Sequence, residues 1–592
     1  MIIALRILLF ALSTFGYVFI ASYFLKLDWR PTVLLAFTFK SIVIFLFALI
    51  NYLQLGMYFT FVVGIALFIC SLHLISTKKI NIFKYITKND LVFFVFLFAL
   101  YIFFPRDISL MTASDNYSHW ATIVKHLYDF ESLPNLVDGT GIVTFLSYPP
   151  GTGIFINYFL QFVGFGTRQI LLGQAILICS SYLAITSIAQ QKKYLTHSLL
   201  GIFMIALFHT INLHVGFENV YVDYIMPVIG LALIVILWLY RERPWLSGMH
   251  LIVIGGYLSL IKNTGLLFMI IGIVYFLYNT FVLLKGEYFK KGTSSIVALV
   301  LTFVPYLLWT NHSEELMGNN IAKHTMNIDN FEQVFNDKSP EVVSEIVENF
   351  IFNFLDFTNS NTIHLIYIFG MMFMVFTSLY LLTSNKTLWK IYFSGLIISI
   401  VYYFGLLLMY LLSMPTNEAI LLASFGRYAM TINIYIVGLF SIGIITTLKS
   451  IPKISPKPNR WLNPLIILAI ASIIIFDYVN IRYLNFDSNN FAYRLQETIE
   501  ERIDYNEDNY LIVFSDEENT SGWYLRYVSK YYFHTPNVTI FSTDSQNVNS
   551  NEIDDFDYIV ILDRQDESLQ AIEQLSLDED VSVGVHNVSE MN

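Results

Sequence analysis

Apolar runs recur from the start of the chain nearly to residue 480, each long enough to cross a bilayer. About 18 or more consecutive apolar residues suffice, because a helix rises roughly 1.5 Å per residue and the hydrocarbon core is about 30 Å thick. Composition excludes the soluble alternative: of 592 residues, 56% are hydrophobic and 13% charged, with 52 Phe and 38 Tyr. A water-soluble interior of this length has no use for so much apolar surface. The chain reads as an α-helical polytopic membrane protein.

Hydropathy places candidate spans near 3–25, 31–53, 56–76, 90–104, 169–189, 196–214, 221–240, 248–262, 265–285, 293–310, 362–383, 389–413, 427–448 and 461–480, about fourteen helices. The run from Ile2 to about Leu25 is too long for a signal-peptide core and has no small-residue cleavage site, so it reads as a retained first helix. The stretch 152–165 follows Pro-Pro-Gly, is short and carries Asn157 and Gln161, which predicts an interfacial or re-entrant helix rather than a crossing. Cys70 and Cys179 both fall inside apolar runs and read as packed thiols, not as a disulfide framework or a metal cluster.

Basic short loops stay in the cytoplasm. With these spans, the loops at Lys78 to Lys88, Lys192-Lys193, Arg241 to Arg243, Lys285 to Lys291, Lys386 to Lys390 and Lys449 to Arg460 all fall on one side. Both termini, the loops 105–151 and 311–361 and the turn 414–426 then face outward. The tail, 483–592, holds roughly two dozen acids against about half a dozen bases, which suits a soluble exterior domain. Strands are expected at 511–514, 538–541 and 558–562, with helices near 520–533 and 565–576: a small extracytoplasmic α/β domain with a partly parallel sheet. The expected organisation is 1–89, additional transmembrane helices; 90–482, a transmembrane catalytic module; and 483–592, the soluble domain.

Candidate chemistry gathers where the chain leaves the membrane. Asp115 sits in Ser114-Asp115-Asn116-Tyr117-Ser118-His119-Trp120, on a loop closed by Tyr148-Pro149-Pro150-Gly151. An isolated Asp there is usually a solvated acid or a helix N-cap. Its company favours a general base that takes a proton from an acceptor hydroxyl while a phosphate leaves. The Pro-Pro pair stiffens the entry to 152–165. Glu218 and Asp223 stand at the outer end of a span, where a carboxylate is costly and usually paired or functional. Lys262 lies in an outward turn and Arg427, next to Tyr428, begins a span after the turn holding Glu418. Snorkelling or ion pairing accounts for such cations plainly; contact with a phosphate headgroup is the functional reading. His312, His324 and His364 lack metal-ligand spacing, and no Walker loop, dinucleotide fingerprint or nucleophilic-serine motif occurs.

Taken together, Asp115, Tyr148-Pro149-Pro150-Gly151, the basic turn Lys192-Lys193, Asp223 and Lys262 resemble the pattern of the GT-C superfamily of membrane glycosyltransferases. Protein O-mannosyltransferase-like enzymes and lipid A aminoarabinose transferases are bacterial members. The match covers residues 90–285 well and the rest only as a general pattern. The resemblance implies that Asp115 is the catalytic base and that the donor is a sugar on a polyprenyl phosphate. Lys262 and Arg427 then hold the donor's phosphate. Two departures stand out. Asn116 follows Asp115 where many members carry a second acid, which weighs against a metal-dependent mechanism, and three additional spans precede the module.

The resulting expectation is an inverting glycosyltransferase that moves a sugar from a polyprenyl-phosphate donor to a cell-surface glycan, lipid or protein. The candidate substrate-binding set is Asn116, Tyr117, His119, Trp120, Tyr148, Glu218, Asp223, Lys262, Glu418, Arg427 and Tyr428, around Asp115. No cofactor is required and a divalent metal is weakly supported. The partners expected are the lipid donor, an envelope acceptor and membrane lipids, with no nucleic acid. The abundance of Ile, Asn, Lys and Phe suits an AT-rich bacterial genome, hence a bacterial cytoplasmic membrane with the site and tail extracytoplasmic. A polysaccharide polymerase or ligase would lean on outer-loop arginines and histidines, whereas these loops are acidic. A transporter or flippase would call for inverted repeats or broken mid-membrane helices, and no convincing pair is evident.

Overall fold

The computed structural model describes residues 2–79, 114–135, 141–188, 195–211, 219–283, 288–317, 334–335, 337–356, 364–448, 462–485, 491–499, 508–514, 522–541, 553, 555–563, 566–575 and 581–591. The protein is an α-helical, multi-pass membrane protein. Among the described residues, ten helices are long and apolar enough to cross a bilayer. The expected span 90–104 lies outside the described residues, as do Glu218 and His324.

Three helices open the chain: Ile2–Leu25, Trp29–Ala48 and Leu53–Lys78. The first and third cross where small residues let the backbones meet. A Cβ on Gly16 would lie 2.2 Å from the Gly64 carbonyl oxygen, and Tyr17 donates across the crossing to the Thr60 carbonyl at 2.9 Å. Close approach of this kind is how apolar helices associate where lipid removes the hydrophobic drive. Lys40 is buried among the helices, its Nζ 3.1 Å from Thr14 Oγ1 and 5.0 to 5.7 Å from the rings of Tyr17, Tyr158 and Phe10.

The most enclosed crossings are Thr167–Thr186, Val222–Leu239 and Phe425–Leu448, each more than 80% buried over its apolar window. Val222–Leu239 is apolar all round after its first turn, as a helix surrounded by others should be. Connections sort to two ends of the bundle. Asp28 N donates to the Tyr240 hydroxyl and Arg30 to the Thr186 carbonyl, while Thr196 bonds Asn463 and Asn385 bonds Thr447. The described basic turn Arg241 to Arg243 shares that end. The opposite end joins Gln54 to Glu131, Trp309 to the Ser147 carbonyl, and Asn349 to the Ile420 carbonyl.

The expected span at 248–262 and the expected interfacial helix at 152–165 both differ in detail. The helix expected at 248–262 starts earlier, with Pro244 in its first turn, passes through a π turn at Leu251–Gly255 and ends at Ser259, leaving Lys262 in the turn beyond. Pro supplies a helix start because its missing N–H is one no helix would use. The expected interfacial helix is Gly151–Val163, 13 residues and too short to cross. Only Gln161 is exposed on it, so protein encloses it rather than lipid and water sharing its faces.

Residues 491–591 carry a four-stranded sheet of order β2-β1-β3-β4, with β1 Tyr510–Val513, β2 Val538–Phe541, β3 Tyr558–Ile561 and β4 Gly584–Asn587. β1 pairs in parallel with β2 and β3, and β4 runs antiparallel to β3. The parallel pairs demand crossovers, and the Gly522–Phe533 helix supplies the one between β1 and β2. β4 and the Phe491–Ile499 helix were not expected from sequence: Gly-Val-His-Asn has no apolar run to betray a strand.

Candidate functional site

Four charged side chains from four separate segments meet at the end of the bundle away from Arg241 to Arg243. Asp115 enters from the π turn Asn116–Trp120, which runs on into the helix Ala121–Asp129. Its carboxylate makes no cap bond to its own helix. Instead Asp115 Oδ2 lies 2.5 Å from Arg427 Nη1, so the plain N-cap reading of Asp115 does not hold. Arg427 stands in the first turn of Phe425–Leu448, and its Nε is 3.5 Å from Asp223 Oδ2, an electrostatic contact without hydrogen-bond geometry. Asp223, in the first turn of Val222–Leu239, accepts from Lys262 Nζ at 3.1 Å. The order is carboxylate, guanidinium, carboxylate, ammonium, with no net charge.

Local sequence explains how each member is held. The Asp223 segment is pinned by Gln174, whose amide donates to the Asn219 and Tyr221 carbonyls at 3.1 Å each. Val220 N donates to Asn116 Oδ1 at 3.1 Å, which ties that segment to the Asp115 turn. Lys262 is placed by the tight turn 260–264, against which the Gly151 helix start is pressed. Gly151 N donates to the Leu260 carbonyl at 2.7 Å, and a Cβ on Gly151 would sit 2.5 Å from that oxygen. The Pro-Pro-Gly sequence thus does more than stiffen an entry: its glycine lets the loop touch the turn bearing the lysine.

Aromatic rings wall the set. Tyr221 and Tyr428 lie 4.7 and 5.3 Å from the Arg427 guanidinium, and the Lys262 ammonium is 5.0 Å from Tyr428 and 6.0 Å from Trp120. Tyr148 packs against Trp120 and His119. Cation–aromatic contacts of this kind hold charged heads in place where water is scarce.

Of the residues singled out from sequence, Asp115, Asp223, Lys262, Arg427, Tyr428, Trp120, His119 and Tyr148 come together here. Asn116 serves the backbone of Val220. Tyr117 turns the other way, among Tyr524, Tyr531 and Tyr532 of the C-terminal residues. Glu418 stands on the short helix Thr416–Ile420; Asp115 and Asp223 are carboxylates set against Arg427 among the described residues. Tyr221 was missed. Its signal was position, two residues before Asp223 on an extended approach.

Electrostatics follow from this geometry. Burial alone would push the Asp115 carboxyl up, but Arg427, with smaller help from His119 and Lys262, outweighs it and brings the group down to about 2. Burial pushes the His119 imidazole down to about 3, against the opposing pull of Asp115, so it is neutral at physiological pH. Its Nδ1 is 2.7 Å from Ser118 Oγ. Among the described residues, no group of three or more His, Cys, Asp or Glu side chains is placed to hold a metal ion.

Beside the site, the Gly522–Phe533 helix docks on the Ala121–Asp129 helix. Lys125 Nζ donates to the Tyr531 and Tyr532 carbonyls at 2.7 and 3.0 Å, capping that helix's C-terminus, and His534 meets Asp129 at 2.8 Å. A cation at orphan carbonyls is favourable on both charge and hydrogen-bond grounds.

No protein-family model, curated protein or solved structure matches the chain.

Proposed function

We propose that the protein is an inverting glycosyltransferase of the GT-C kind, drawing a sugar from a polyprenyl-phosphate donor and delivering it to a cell-envelope acceptor outside the cytoplasmic membrane. The observation that carries this reading is the convergence of Asp115, Arg427, Asp223 and Lys262 at one end of the helices, walled by Tyr221, Tyr428 and Trp120. The described basic turns, Arg241 to Arg243 and Lys386 to Lys390, lie at the opposite end, and because basic connections stay cytoplasmic this supports a site that opens outward. No nucleotide sugar is present there, and a lipid must carry the activated sugar across.

The step is a single displacement. An acceptor hydroxyl oxygen attacks the anomeric carbon; the bond from that carbon to the donor's phosphate oxygen breaks, and its electron pair leaves on the phosphate. The hydroxyl proton passes to Asp115. Polyprenyl phosphate departs with one more negative charge than it had in the donor, and Arg427 and Lys262 supply the compensating cations. One displacement inverts the configuration. The Gly522–Phe533 helix, docked beside the Asp115 loop, borders the side from which an acceptor would approach.

Cells lacking the protein should accumulate lipid-linked sugar in the outer leaflet, and wild-type but not Asp115→Asn protein should clear it. Donor trapped in the inner leaflet would instead indicate a flippase and overturn the reading.

A further inference from the structure

Asp115 is clamped by the cation that the proposed donor needs. The guanidinium that would receive a phosphate already holds the carboxylate that must receive a proton, 2.5 Å away. We propose that Arg427 is a two-position clamp: it pairs with Asp115 in the resting protein and is drawn onto the donor's phosphate when the lipid docks, which frees Asp115 to accept the proton. The proposal rests on the glycosyltransferase reading and adds to it an order of events, with donor binding preceding activation of the base.

Three observations carry it. First, the partners are unequally exposed. The Arg427 side chain is 11% exposed and Asp115 is 28% exposed, so a ligand arriving from the water side reaches the ion pair at its open, carboxylate edge. Second, Arg427 does not depend on Asp115 alone to balance its charge. Asp223, 2% exposed, lies behind it, and Lys262 holds the far oxygen of Asp223. Arg427 Nε is buried against Asp223 Oδ2 at 3.5 Å, so that contact can hold the guanidinium while Nη1 leaves Asp115 for a phosphate at the open edge. Third, docking unbalances the charge. The resting set is neutral; a phosphodiester adds one negative charge in a poorly hydrated place, and a proton on Asp115 restores neutrality. Donor binding and proton capture therefore favour each other, as linked equilibria must.

It follows that Asp115 competes with the lipid phosphate for Arg427. Removing the competitor should tighten phosphate binding, although the same change slows transfer. Full-length wild-type protein, Asp115→Asn and Asp115→Ser are placed in nanodiscs of neutral phosphatidylcholine, and binding of undecaprenyl phosphate is titrated. Two variants are used so that misfolding of one, seen by size-exclusion chromatography, leaves the other to decide. The expected result is a Kd lowered about tenfold in the variants, within the usual span of site-to-site coupling. Inorganic phosphate forms a second arm, and tightening for the free ion alone would overturn the lipid assignment. Equal lipid affinity in all three proteins would overturn the clamp and leave the glycosyltransferase reading standing. Absence of saturable lipid-phosphate binding in all three would remove that reading itself.

Discussion

A guanidinium between two carboxylates, with an ammonium on the far one, is stable only as a set. Asp223 is almost fully buried and relies on two cations. Lys262→Met removes one of them, and breaking a buried pair by deleting a single partner typically costs about 3–5 kcal/mol. Unfolding followed in detergent should show a loss of that order for Lys262→Met, and a smaller one for Lys262→Arg. Asp115 makes a separate prediction. Its carboxyl falls to about 2 in the folded protein, below an unfolded value near 4. A depressed carboxylate stabilises fully above its unfolded value, and that contribution disappears as pH drops through the folded one. The stability gap between wild type and Asp115→Asn should therefore stay constant above about pH 4 and close between about pH 4 and pH 2. A gap that opened on acidification would contradict the Asp115–Arg427 pair. At this scale the sequence was legible through misplaced charge. The expected topology put Lys262 and Arg427 on the side where cations are rare, and that anomaly alone marked residues more than a hundred positions apart. The packing of Tyr117 was not legible because its ring neighbours lie over four hundred positions away, and nothing local to Ser114–Trp120 separates a ring facing a ligand from one facing the tail helix.

Helices and turns carry the site through a few close approaches. Gly151 is one of them, with its missing side chain filled by the Leu260 carbonyl. Gly151→Ala forces the Gly151–Val163 helix and the Lys262 turn apart, and overpacking of this kind costs about 1–3 kcal/mol. The expected outcome is a lower melting temperature together with weaker lipid-phosphate binding; a variant that melts earlier but binds normally would show that this contact does not position Lys262. Helix limits were readable wherever an apolar window coincided with the element. They were not where a start signal lay outside it: Pro244 opens its helix four residues before the expected span, in a stretch that hydropathy scores as a loop. The Gly151–Val163 helix shows the same limit. Its length and polar residues excluded a crossing, but burial on all sides depends on the first two helices and on Ala121–Asp129, which composition cannot foretell.

Across the whole molecule, the sorting of connections to two ends and the docking of the tail decide what the site can reach. The Gly522–Phe533 helix is fastened by Lys125 and by the Tyr117 cluster. Burial lowers the Lys125 ammonium to about 8, with Asp129 opposing, so this lysine is charged at neutral pH. Lys125→Met should loosen the tail, seen as faster proteolysis between residues 486 and 522, and should lower transfer more for large acceptors than for small ones. The three leading helices, unexplained from sequence, place Lys40 against Tyr158 of the Gly151–Val163 helix. That contact makes them a buttress for the helix whose start, Gly151, abuts the Lys262 turn. The parallel strands of the tail were readable because each is an apolar run between polar loops; the antiparallel edge strand, half-buried and short of apolar residues, was not.

The most direct measurement is transfer of a labelled sugar from polyprenyl phosphate to acceptor by purified protein in proteoliposomes, wild type against Asp115→Asn of equal melting profile. The account predicts that the variant binds the lipid phosphate yet transfers roughly a hundredfold to ten-thousandfold more slowly, the usual contribution of a positioned base. Transfer at the wild-type rate by a folded Asp115→Asn protein would contradict it.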